Sequence, residues 1–424
     1  KSTNRSFRPA AAASTETTMQ KPLSHIRVLD LSRILAGPWA TQNLADLGAE
    51  VIKVEKPGVG DDTRQMGPPF LKDKQTGEDG DAAYFMSCNR GKKSLAIDFS
   101  NPQGQDILRE LARKADVFVE NYKVGALKRY GLDYASLREL NPQLVYCSVT
   151  GFGQTGPYKD RAGYDYLIQG MGGLMSVTGE RDDLPGGGPQ RAGVAVADLL
   201  AGMYATTAIL AALQHRDRGH GGQHIDISLL DCMVGSLVNQ SMNYLVSGRV
   251  PQRMGSGHPN IAPYAVYPAA DGHLVLAVGN DTQFRRLCQA VGQPEVGVDP
   301  RYATIADRVH NRTELDAWLV SVTRSRSLAD WTALLERAQV PGGPINGMDQ
   351  VFADAHVVAR GMRADVQHPL YGAVPTVRNP IRFSETPLNP AGAPPSLGQH
   401  NEEVLHSLGI APERLAELRA AGVL

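Results

Sequence analysis

Two adjacent carboxylates beside a run of glycines form the part of this sequence best suited to covalent chemistry. The stretch VTGERDDLPGGGPQR, residues 177 to 191, places Asp182 and Asp183 shortly before three consecutive glycines. Glycines let a backbone approach a ligand closely and present unhindered N–H donors to a developing oxyanion. A carboxylate beside such donors is suited to act as a covalent nucleophile. A solvated acidic turn is the alternative interpretation, since the same residue types are common in loops.

A second glycine-rich stretch has the spacing of a dinucleotide-binding fingerprint. Residues 151 to 158 read GFGQTGPY, and Gly151, Gly153 and Gly156 fit G-x-G-x-x-G. In that fingerprint the third glycine opens a helix, whereas here Pro157 follows directly. Five predicted strands also precede the stretch, although the fingerprint normally follows the first strand. We therefore expect no nicotinamide cofactor, and instead a turn that brings backbone N–H groups close to a ligand.

Basic residues collect near the ends of several predicted strands. If the sheet brings these residues to one edge, they are numerous enough to hold a multiply phosphorylated ligand by charge-assisted hydrogen bonds. Ordinary solubilising charges are the alternative for each cluster. The residues, with one neighbouring amide, are Arg33, Lys56, Arg90, Lys92, Lys93, Asn121, Lys123, Lys128 and Arg129.

Length and composition describe a globular protein of two to three domains. The chain has 424 residues, of which 42% are hydrophobic and 21% charged. Its formal net charge of -1 predicts neither a nucleic-acid partner nor a membrane partner. The four cysteines are isolated, so they predict no metal site and no disulfide framework, as in a reducing compartment.

The first 24 residues are set apart from the folded chain by composition. They are rich in Ala, Ser and Thr and lack apolar periodicity, so we interpret residues 1–24 as a disordered leader or tag. Arg5 and Arg8 with few acidic residues would also suit an organelle transit peptide. We expect a cytoplasmic location, or a mitochondrial one if the source is eukaryotic.

From residue 25 the hydrophobic pattern alternates between strand and helix, which predicts βαβ units and a mostly parallel sheet. Predicted strands cover 25–32, 50–58, 92–99, 116–122 and 144–150, and predicted helices cover 37–49, 101–115 and 125–140. Asn101 is the expected N-cap of the second helix, with Pro102 at its first position. A long polar loop is expected over 57–82, and a buried apolar helix over 198–216.

The second half of the chain has a different pattern of predicted strands and helices. Residues 264–279 read as an antiparallel pair turned at Asp271-Gly272, followed by amphipathic helices. We therefore predict a large domain over 25–215, a smaller α+β domain over 225–345 and a C-terminal segment over 346–424.

Several of these stretches together resemble the class III coenzyme A-transferases, the family of formyl-CoA transferase. The resemblance is carried by VLDLSRILAGPWATQNLADLGAEVIKVEKPGVGD, CNRGKKSLAIDFSNPQG, ADVFVENYKVGALKRYGLDY, NPQLVYCSVTGFGQTGPY, RAGYDYLIQGMGGLMSVTGE and VAVADLLAGMYA, and it runs from about residue 22 to 424. It implies a Rossmann-like large domain, a small α+β domain, and a C-terminal segment that returns to the large domain. It also implies that two chains thread through each other as an interlocked homodimer.

The resemblance implies an aspartate nucleophile a few residues after Thr-Gly, which is matched by Asp182. Asp183 stands where a glycine is usual and remains the reserve candidate. The related α-methylacyl-CoA racemases, whose isomerisation is the alternative activity, use a histidine where this chain has Tyr164. Tyrosine is a weak base at neutral pH, so the transferase activity is preferred. The racemase aspartate matches Asp198, which we interpret as structural for lack of that histidine.

The resemblance also implies where coenzyme A, the only cofactor-like molecule expected, lies along the strand ends. Arg33, Leu35 and Ala36 are expected near the adenine, and Lys56 at a phosphate. The remaining expected contacts are Ile97, Asn121, Tyr122, Arg129, Tyr130, Thr150, Gly151, Phe152 and Gly153.

Three downstream stretches resemble the succinyl-CoA:glutarate branch of the family. They read MGSGHPNIAPYAVYPAADGHLVLAVGND, RVHNRTEL and VPGGPINGMDQVF. This implies transfer of coenzyme A from succinyl-CoA to a short acid such as glutarate, through mixed anhydrides and an aspartyl-CoA thioester. A coenzyme A-binding protein without catalysis is the remaining alternative.

Overall fold

A computed structural model describes residues 21–390 and 392–424 of the chain. Most of the predicted leader lies outside these residues. Residues 21 to 25 form a turn, in which the N–H of Leu23 donates to the carbonyl of Leu47 at 3.0 Å.

Strands and helices alternate through the first half of the chain. The strands are β1 (Arg27–Asp30), β2 (Glu50–Glu55), β3 (Phe70–Lys72), β4 (Asp79–Ala82), β5 (Lys93–Ala96), β6 (Val117–Glu120), β7 (Val145–Thr150), β8 (His224–Ser228), β9 (Tyr264–Pro268), β10 (His273–Ala277), β11 (Gly342–Pro344), β12 (Arg363–His368) and β13 (Gly372–Val377). The helices are α1 (Ala36–Asp46), α2 (Ala83–Cys88), α3 (Pro102–Arg113), α4 (Tyr134–Leu140), α5 (Asp165–Met171), α6 (Leu174–Val177), α7 (Val196–Asp217), α8 (Leu229–Ser236), α9 (Val238–Ser247), α10 (Asp281–Ala290), α11 (Ile305–His310), α12 (Arg312–Thr323), α13 (Leu328–Ala338), α14 (Met348–Ala353), α15 (Ala355–Ala359), α16 (Asn401–His406) and α17 (Pro412–Ala420).

Six strands form one sheet in the order β5-β2-β1-β6-β7-β8. Every neighbouring pair in this sheet is parallel, which confirms the predicted parallel arrangement. Counted in chain order, the six strands are arranged 3-2-1-4-5-6, the order of the doubly wound fold. The order reverses between β1 and β6, so a crevice for a ligand is expected at the carboxyl ends of these two strands.

Both faces of this sheet are buried, because alternate strand residues point to opposite sides. Val28 of β1 belongs to an apolar cluster with residues of α1 and α7. Its neighbour Leu29 belongs to a second cluster with residues of α3, α4, α16 and α17. The sheet is therefore a central layer between two layers of helices.

Helix α7 is apolar and long enough to cross a membrane, with a best-window mean hydropathy of 1.7. In this structure 44% of that window is buried, and α7 packs on α1, α8 and the sheet. The packing against α1 is close, since a Cβ at Gly202 would lie 2.7 Å from the carbonyl oxygen of Ala36.

A third apolar cluster lies within residues 262–340 and surrounds a three-stranded sheet in the order β11-β10-β9. β9 and β10 are antiparallel, with the N–H of Ala269 donating to the carbonyl of Gly272 at 2.8 Å. This confirms the hairpin predicted around Asp271 and Gly272. Trp331 of α13 is fully buried in the cluster.

The C-terminal residues pack on the parallel sheet. Asn401 accepts a hydrogen bond from the N–H of Ala96 at 2.8 Å, so the chain covers the free edge of β5. Val404 and Leu405 of α16 are buried in the cluster that contains Leu29. The hairpin of β12 and β13 packs on Phe85 of α2.

Two local predictions are wrong. The expected loop over 57–82 contains the β3–β4 hairpin, whose strands are too short and polar to show a period-two pattern. The helix expected over 125–140 is broken at Gly131, which has φ 65°, and only Tyr134–Leu140 is α-helical.

Candidate active site

Two adjoining cavities lie at the carboxyl ends of the parallel strands. The first has a volume of about 460 Å³ and is bounded by the residues that follow β1, β6 and β7. The second has a volume of about 440 Å³ and is bounded by the residues that follow β2, β5 and β6. Arg33 and Tyr122 line both cavities. The first cavity therefore lies at the β1/β6 switch point that the strand order predicts for a ligand.

Most residues expected to contact coenzyme A line one of these cavities. Those at the first cavity are Arg33, Leu35, Ala36, Asn121, Tyr122, Thr150 and Gly151. Those at the second are Arg33, Lys56, Ile97, Tyr122, Arg129 and Tyr130. The fold thus brings together residues that are far apart in sequence, while their contacts with coenzyme A stay a prediction.

Asn121 fixes the backbone that follows β1. Its side-chain oxygen accepts from the N–H of Arg33 at 2.9 Å, and its amide nitrogen donates to the carbonyl of Arg33 at 2.7 Å. The Arg33 guanidinium lies 3.1 Å from Asp62 and 5.4 Å from the ring of Tyr122. These contacts place a cation and an aromatic ring at the junction of the two cavities.

The second cavity combines aromatic rings with cations. Phe99 makes edge-to-face contacts with Tyr122 and Tyr130, at ring-centroid distances of 5.8 and 5.3 Å. The guanidinium of Arg129 lies 4.6 Å from the centre of the Tyr130 ring. Lys56 lines the same cavity. Aromatic faces and cations together suit a nucleotide, whose base stacks and whose phosphates are anionic.

Phe152 and Gly153 do not line either cavity, and their expected contacts with coenzyme A stay a prediction. Phe152 is buried in the apolar core, and Gly153 lies beside Asp226 with φ 80°. The stretch GFGQTGPY is followed by turns, and the next helix begins only at Asp165. The glycines therefore do not open a helix, as a dinucleotide fingerprint requires.

Two of the predicted basic residues are engaged inside the protein. Arg90 forms a buried ion pair with Asp46 at 2.5 Å, and Lys92 forms one with Asp30 at 3.1 Å. These side chains do not reach either cavity. The hypothesis that they hold a phosphorylated ligand is therefore wrong.

Asp182 and Asp183, the nucleophile candidates, lie outside both cavities. Their side chains are 71% and 62% exposed. Asp182 is bound by Arg253, and Asp183 lies 2.5 Å from Arg181, which lowers the pKa of Asp183 through a hydrogen bond. An exposed, ion-paired carboxylate is a weak nucleophile, so this geometry argues against the predicted role.

Asp198, which was interpreted as structural for lack of a histidine partner, lines the first cavity. It lies in the first turn of α7 and is half-buried. The start of α7 is held by Asp165, whose carboxylate accepts from the N–H of Ala197 at 2.8 Å and from the amide of Gln169 at 2.7 Å. The sequence named Asp198 but gave it no catalytic role, because the residues that surround it at the cavity come from elsewhere in the chain.

Burial and a like charge change the acidity of Asp198. Burial raises its pKa, and the negative charge of Asp165 adds to this, giving a value of about 7. Burial together with the charge of Asp198 raises the pKa of Tyr84 to about 12, so that hydroxyl stays protonated. Burial also raises the pKa of Glu120 to about 7. Asp198 also lines the first cavity, and a perturbed pKa in a group that lines a cavity is typical of active sites.

Within residues 21–390 and 392–424 there is no group of His, Cys, Asp and Glu side chains arranged to hold a metal ion. The four cysteines are buried and unpaired.

Comparison with known proteins assigns the family. Residues 23–401 match the sequence profile of CoA-transferase family III. A relative from Agrobacterium fabrum, named succinate–glutarate CoA-transferase, is 53% identical over 91% of this chain and 96% of its own length. A human relative, named succinyl-CoA:glutarate CoA-transferase, is 42% identical over 95% of this chain and 90% of its own length.

A solved structure agrees with this assignment. A CaiB/BaiF family protein from Brucella suis superposes with a TM-score of 0.81 at 50% identity, covering 92% of this chain and 100% of that one. With a profile match and relatives well above 30% identity, this chain belongs to CoA-transferase family III and is an enzyme that transfers coenzyme A.

Proposed function

We propose that this enzyme moves coenzyme A from succinyl-CoA to a short dicarboxylic acid such as glutarate, with Asp198 rather than Asp182 as the covalent nucleophile. The substrate pair is supported by the names of the relatives from Agrobacterium fabrum, mouse and human. The catalytic assignment rests on which carboxylates around the first cavity are engaged in hydrogen bonds or ion pairs.

Four aspartates line that cavity, and three of them are engaged. Asp62 is paired with Arg33, and Asp160 is paired with Lys159 at 2.9 Å. Asp165 holds the start of α7. In the part of the chain that the structure describes, Asp198 accepts no side-chain hydrogen bond and forms no ion pair. It is therefore the cavity carboxylate whose lone pairs are free for attack on a carbonyl carbon.

The two cavities hold different parts of coenzyme A, the nucleotide in the second cavity and the reacting thioester in the first. Lys56 and Arg129 offer charge-assisted hydrogen bonds to phosphates in the second cavity, where Tyr130 offers an aromatic face. The pantetheine arm then passes Arg33 and Tyr122 into the first cavity. In this arrangement the thioester at the end of the arm lies near Asp198, so the predicted binding residues and the proposed nucleophile act on the same ligand.

The proposed reaction conserves the thioester through covalent intermediates. The Asp198 carboxylate attacks the thioester carbonyl, the C–S bond breaks, and an acyl-aspartyl anhydride and the coenzyme A thiolate form. The thiolate attacks the aspartyl carbonyl, which releases the donor acid and leaves an aspartyl-CoA thioester. The acceptor carboxylate attacks this thioester, giving a second mixed anhydride and thiolate. Attack of the thiolate on the acceptor acyl carbon yields the new acyl-CoA and regenerates Asp198.

Unpaired cations at the first cavity support an acidic acyl group. Lys123 and Arg161 line this cavity, and neither has a carboxylate partner among the residues described. The Arg161 guanidinium stacks on Tyr158 at 4.4 Å, which orients its planar face. A dicarboxylic acid keeps one free carboxylate when the other is joined to coenzyme A, and a guanidinium binds such a group by paired hydrogen bonds.

Trapping of the aspartyl-CoA thioester tests the nucleophile directly. After incubation with succinyl-CoA, borohydride reduces the modified aspartate to an alcohol, replacing one carboxyl oxygen by two hydrogens. Trypsin cleaves after Arg181, Arg191 and Arg216, so it separates Asp182 from Asp198 into different peptides. We expect the mass change in the peptide 192–216. The change in the peptide 182–191 would return the role to Asp182 or Asp183.

Matched variants give the kinetic counterpart. Asp198→Asn keeps the size of the side chain and is expected to reduce exchange between succinyl-CoA and labelled glutarate on the order of a thousandfold or more. Asp182→Asn is the control and is expected to retain most of the exchange. The reverse pattern would contradict the proposal.

The isomerase alternative has weaker support at this site. Tyr164 occupies the position of the racemase histidine and lines the first cavity, but tyrosine is a poor base at neutral pH. An α-methylacyl-CoA racemase would exchange the α-proton of its substrate with deuterium in the absence of any acceptor acid. We expect no such exchange.

We also propose the interlocked homodimer and the division into domains at 25–215, 225–345 and 346–424. Support for the homodimer comes from helix α9, which leaves Leu245 and Val246 71% and 80% exposed next to the exposed Val238 and Met242. An apolar face of this kind on a chain of this family is suited to contact with a second copy. Light scattering after size exclusion is expected to give twice the monomer mass; a monomer would contradict this part. A cytoplasmic location stays a prediction.

A further inference from the structure

Ile34 has an unusual backbone conformation at the centre of the proposed coenzyme A site. Its φ is 70°, in the left-handed region that β-branched residues avoid. Ile34 lies between Arg33 and Leu35, and all three line the first cavity. Strain of this kind persists only where surrounding contacts hold it, and it is concentrated at functional sites.

Asp61 holds this conformation from inside the protein. Both carboxylate oxygens of Asp61 lie 3.3 Å from the N–H of Ile34, which donates to them. One of these oxygens also accepts from the N–H and the hydroxyl of Thr63, at 3.0 and 2.7 Å. The N–H of Asp61 in turn donates to Glu55 at 3.0 Å. Asp61 is thus fixed on one side by its own loop and reaches the strained residue on the other.

Lys53 of β2 completes the arrangement. Its ammonium group lies 2.7 Å from Asp61 and donates to the carbonyl of Ser32 at 3.0 Å, two residues before Ile34. The side chains of Lys53 and Asp61 are both 0% exposed. Although burial opposes the charged state of each group, their mutual attraction lowers the pKa of Asp61 to about 2 and raises the pKa of Lys53. The pair therefore stays ionised.

A buried ion pair is a poor source of stability, because desolvation of the two charges offsets their attraction. The Lys53–Asp61 pair is therefore better explained as a means of positioning the backbone than as a source of stability. Asn121 fixes Arg33 from the β6 side, and Asp61 fixes Ile34 from the β2 side. The segment from Arg33 to Ala36 is thereby held rigidly between the two cavities.

We propose that the buried Lys53–Asp61 ion pair is a positioning element for coenzyme A. By holding Ile34 in the left-handed conformation, it places the backbone from Arg33 to Ala36 where the ligand passes from one cavity to the other. This inference rests on the proposed function, because it assumes that coenzyme A crosses this junction. Neither Lys53 nor Asp61 acts on the substrate.

The test replaces the pair by apolar residues of similar size, because removal of one partner alone would leave a buried charge. The double variant Lys53→Met/Asp61→Leu removes both the acceptor for Ile34 and the anchor on Ser32. We expect the dissociation constant for coenzyme A, measured by isothermal titration, to rise about tenfold or more. The matched control Arg90→Met/Asp46→Leu removes a buried ion pair at the far end of α1. It is expected to change this constant less than about threefold.

Ile34→Gly separates positioning from a general loss of structure. Glycine adopts positive φ without strain, so it needs no ion pair to hold it. We expect that adding Lys53→Met/Asp61→Leu to Ile34→Gly raises the dissociation constant less than about threefold over that of Ile34→Gly alone. An equal loss in both backgrounds, a loss in the control, or no loss at all would each overturn the proposal.

Ile34→Pro leaves the ion pair intact and keeps the test decisive if the double variant does not fold. Proline fixes φ near −65° and has no N–H to donate. Weakened coenzyme A binding is expected, and unchanged binding would overturn the proposal. Failure of the proposed function would show differently, as absence of coenzyme A binding or of exchange in the unsubstituted enzyme.

Discussion

Gly151 and Gly163 meet backbone to backbone beside the first cavity. A Cβ added at Gly151 would lie 2.5 Å from the Cα of Gly163, and one added at Gly163 would lie 2.7 Å from the Cα of Gly151. Gly151 follows β7 directly, and Gly163 belongs to the segment that leads to α5. The glycine-rich turn is therefore required for close approach of two chain segments, and this contact sets the wall of the cavity.

Gly151→Ala should force this wall outward. We expect the free energy of unfolding to fall by about 1–3 kcal/mol, because the clash is with backbone that cannot rotate away. The KM for succinyl-CoA should rise in the same variant. The control is Gly193→Ala, where an added Cβ meets no atom within 4 Å. Chemical denaturation and initial rates would check both, and equal behaviour of the two variants would contradict the role of the contact.

The pH dependence of exchange should report on Asp198. The carboxylate must be ionised to attack, and burial together with Asp165 raises its pKa to about 7. We expect kcat/KM to increase with pH through about 7 and to fall about tenfold per pH unit below it. Asp165→Asn removes the like charge, so the midpoint of the profile should move to lower pH.

A control is needed because the pKa of Glu120 is also raised to about 7. Glu120→Gln keeps an oxygen that can accept the hydrogen bond from the N–H of Tyr122. We expect its profile to keep the midpoint of the unsubstituted enzyme. A midpoint that disappears in Glu120→Gln and is unchanged in Asp165→Asn would assign the titration to Glu120.

The features predicted correctly from sequence are those fixed by neighbouring residues. Asn101 caps α3 by accepting from the N–H of Gln103, with Pro102 in the first turn, because capping involves residues two positions apart. The parallel sheet followed from the alternation of strand and helix patterns. The β3–β4 hairpin was missed because its seven strand residues carry no apolar alternation.

The candidate site could not be predicted in this way. Asp182 was predicted from its neighbours in sequence, whereas the properties of Asp198 arise from tertiary structure. Its pKa depends on Asp165, 33 positions earlier, and its charge raises the pKa of Tyr84, more than a hundred positions earlier. The strain at Ile34 is likewise invisible in the sequence, because the acceptor that holds it is Asp61.

Arg129 should contribute to binding of coenzyme A and not to the chemical steps. It lines the second cavity beside Lys56 and lies over the ring of Tyr130. Loss of a hydrogen bond to a charged group costs about 1.5–3 kcal/mol, so Arg129→Ala should raise KM for succinyl-CoA roughly ten- to a hundredfold. The value of kcat should change little, because the interaction is the same in the ground state and the transition state.

The neighbouring Lys128→Ala is the matched control, since Lys128 is exposed and lines neither cavity. Its KM is expected to stay within about twofold of the unsubstituted value. A fall in kcat without a rise in KM for Arg129→Ala would place this residue in the chemistry instead.

Arg161 should determine the preference for dicarboxylic acids. It lines the cavity that contains Asp198, and it belongs to the segment leading to Asp165, which holds the start of α7. A guanidinium at this position would bind the free carboxylate of succinyl or glutaryl groups, whereas a monocarboxylic acid of the same length offers it nothing. Arg161→Ala should therefore lower kcat/KM for glutarate about tenfold or more and leave that for pentanoate nearly unchanged. The measurement is the ratio of the two values, with succinyl-CoA as donor. The control Lys128→Ala removes an exposed charge that lines neither cavity and is expected to leave this ratio unchanged. An unchanged ratio in Arg161→Ala would mean that selectivity comes from cavity shape, because the charge would then act equally on both acids.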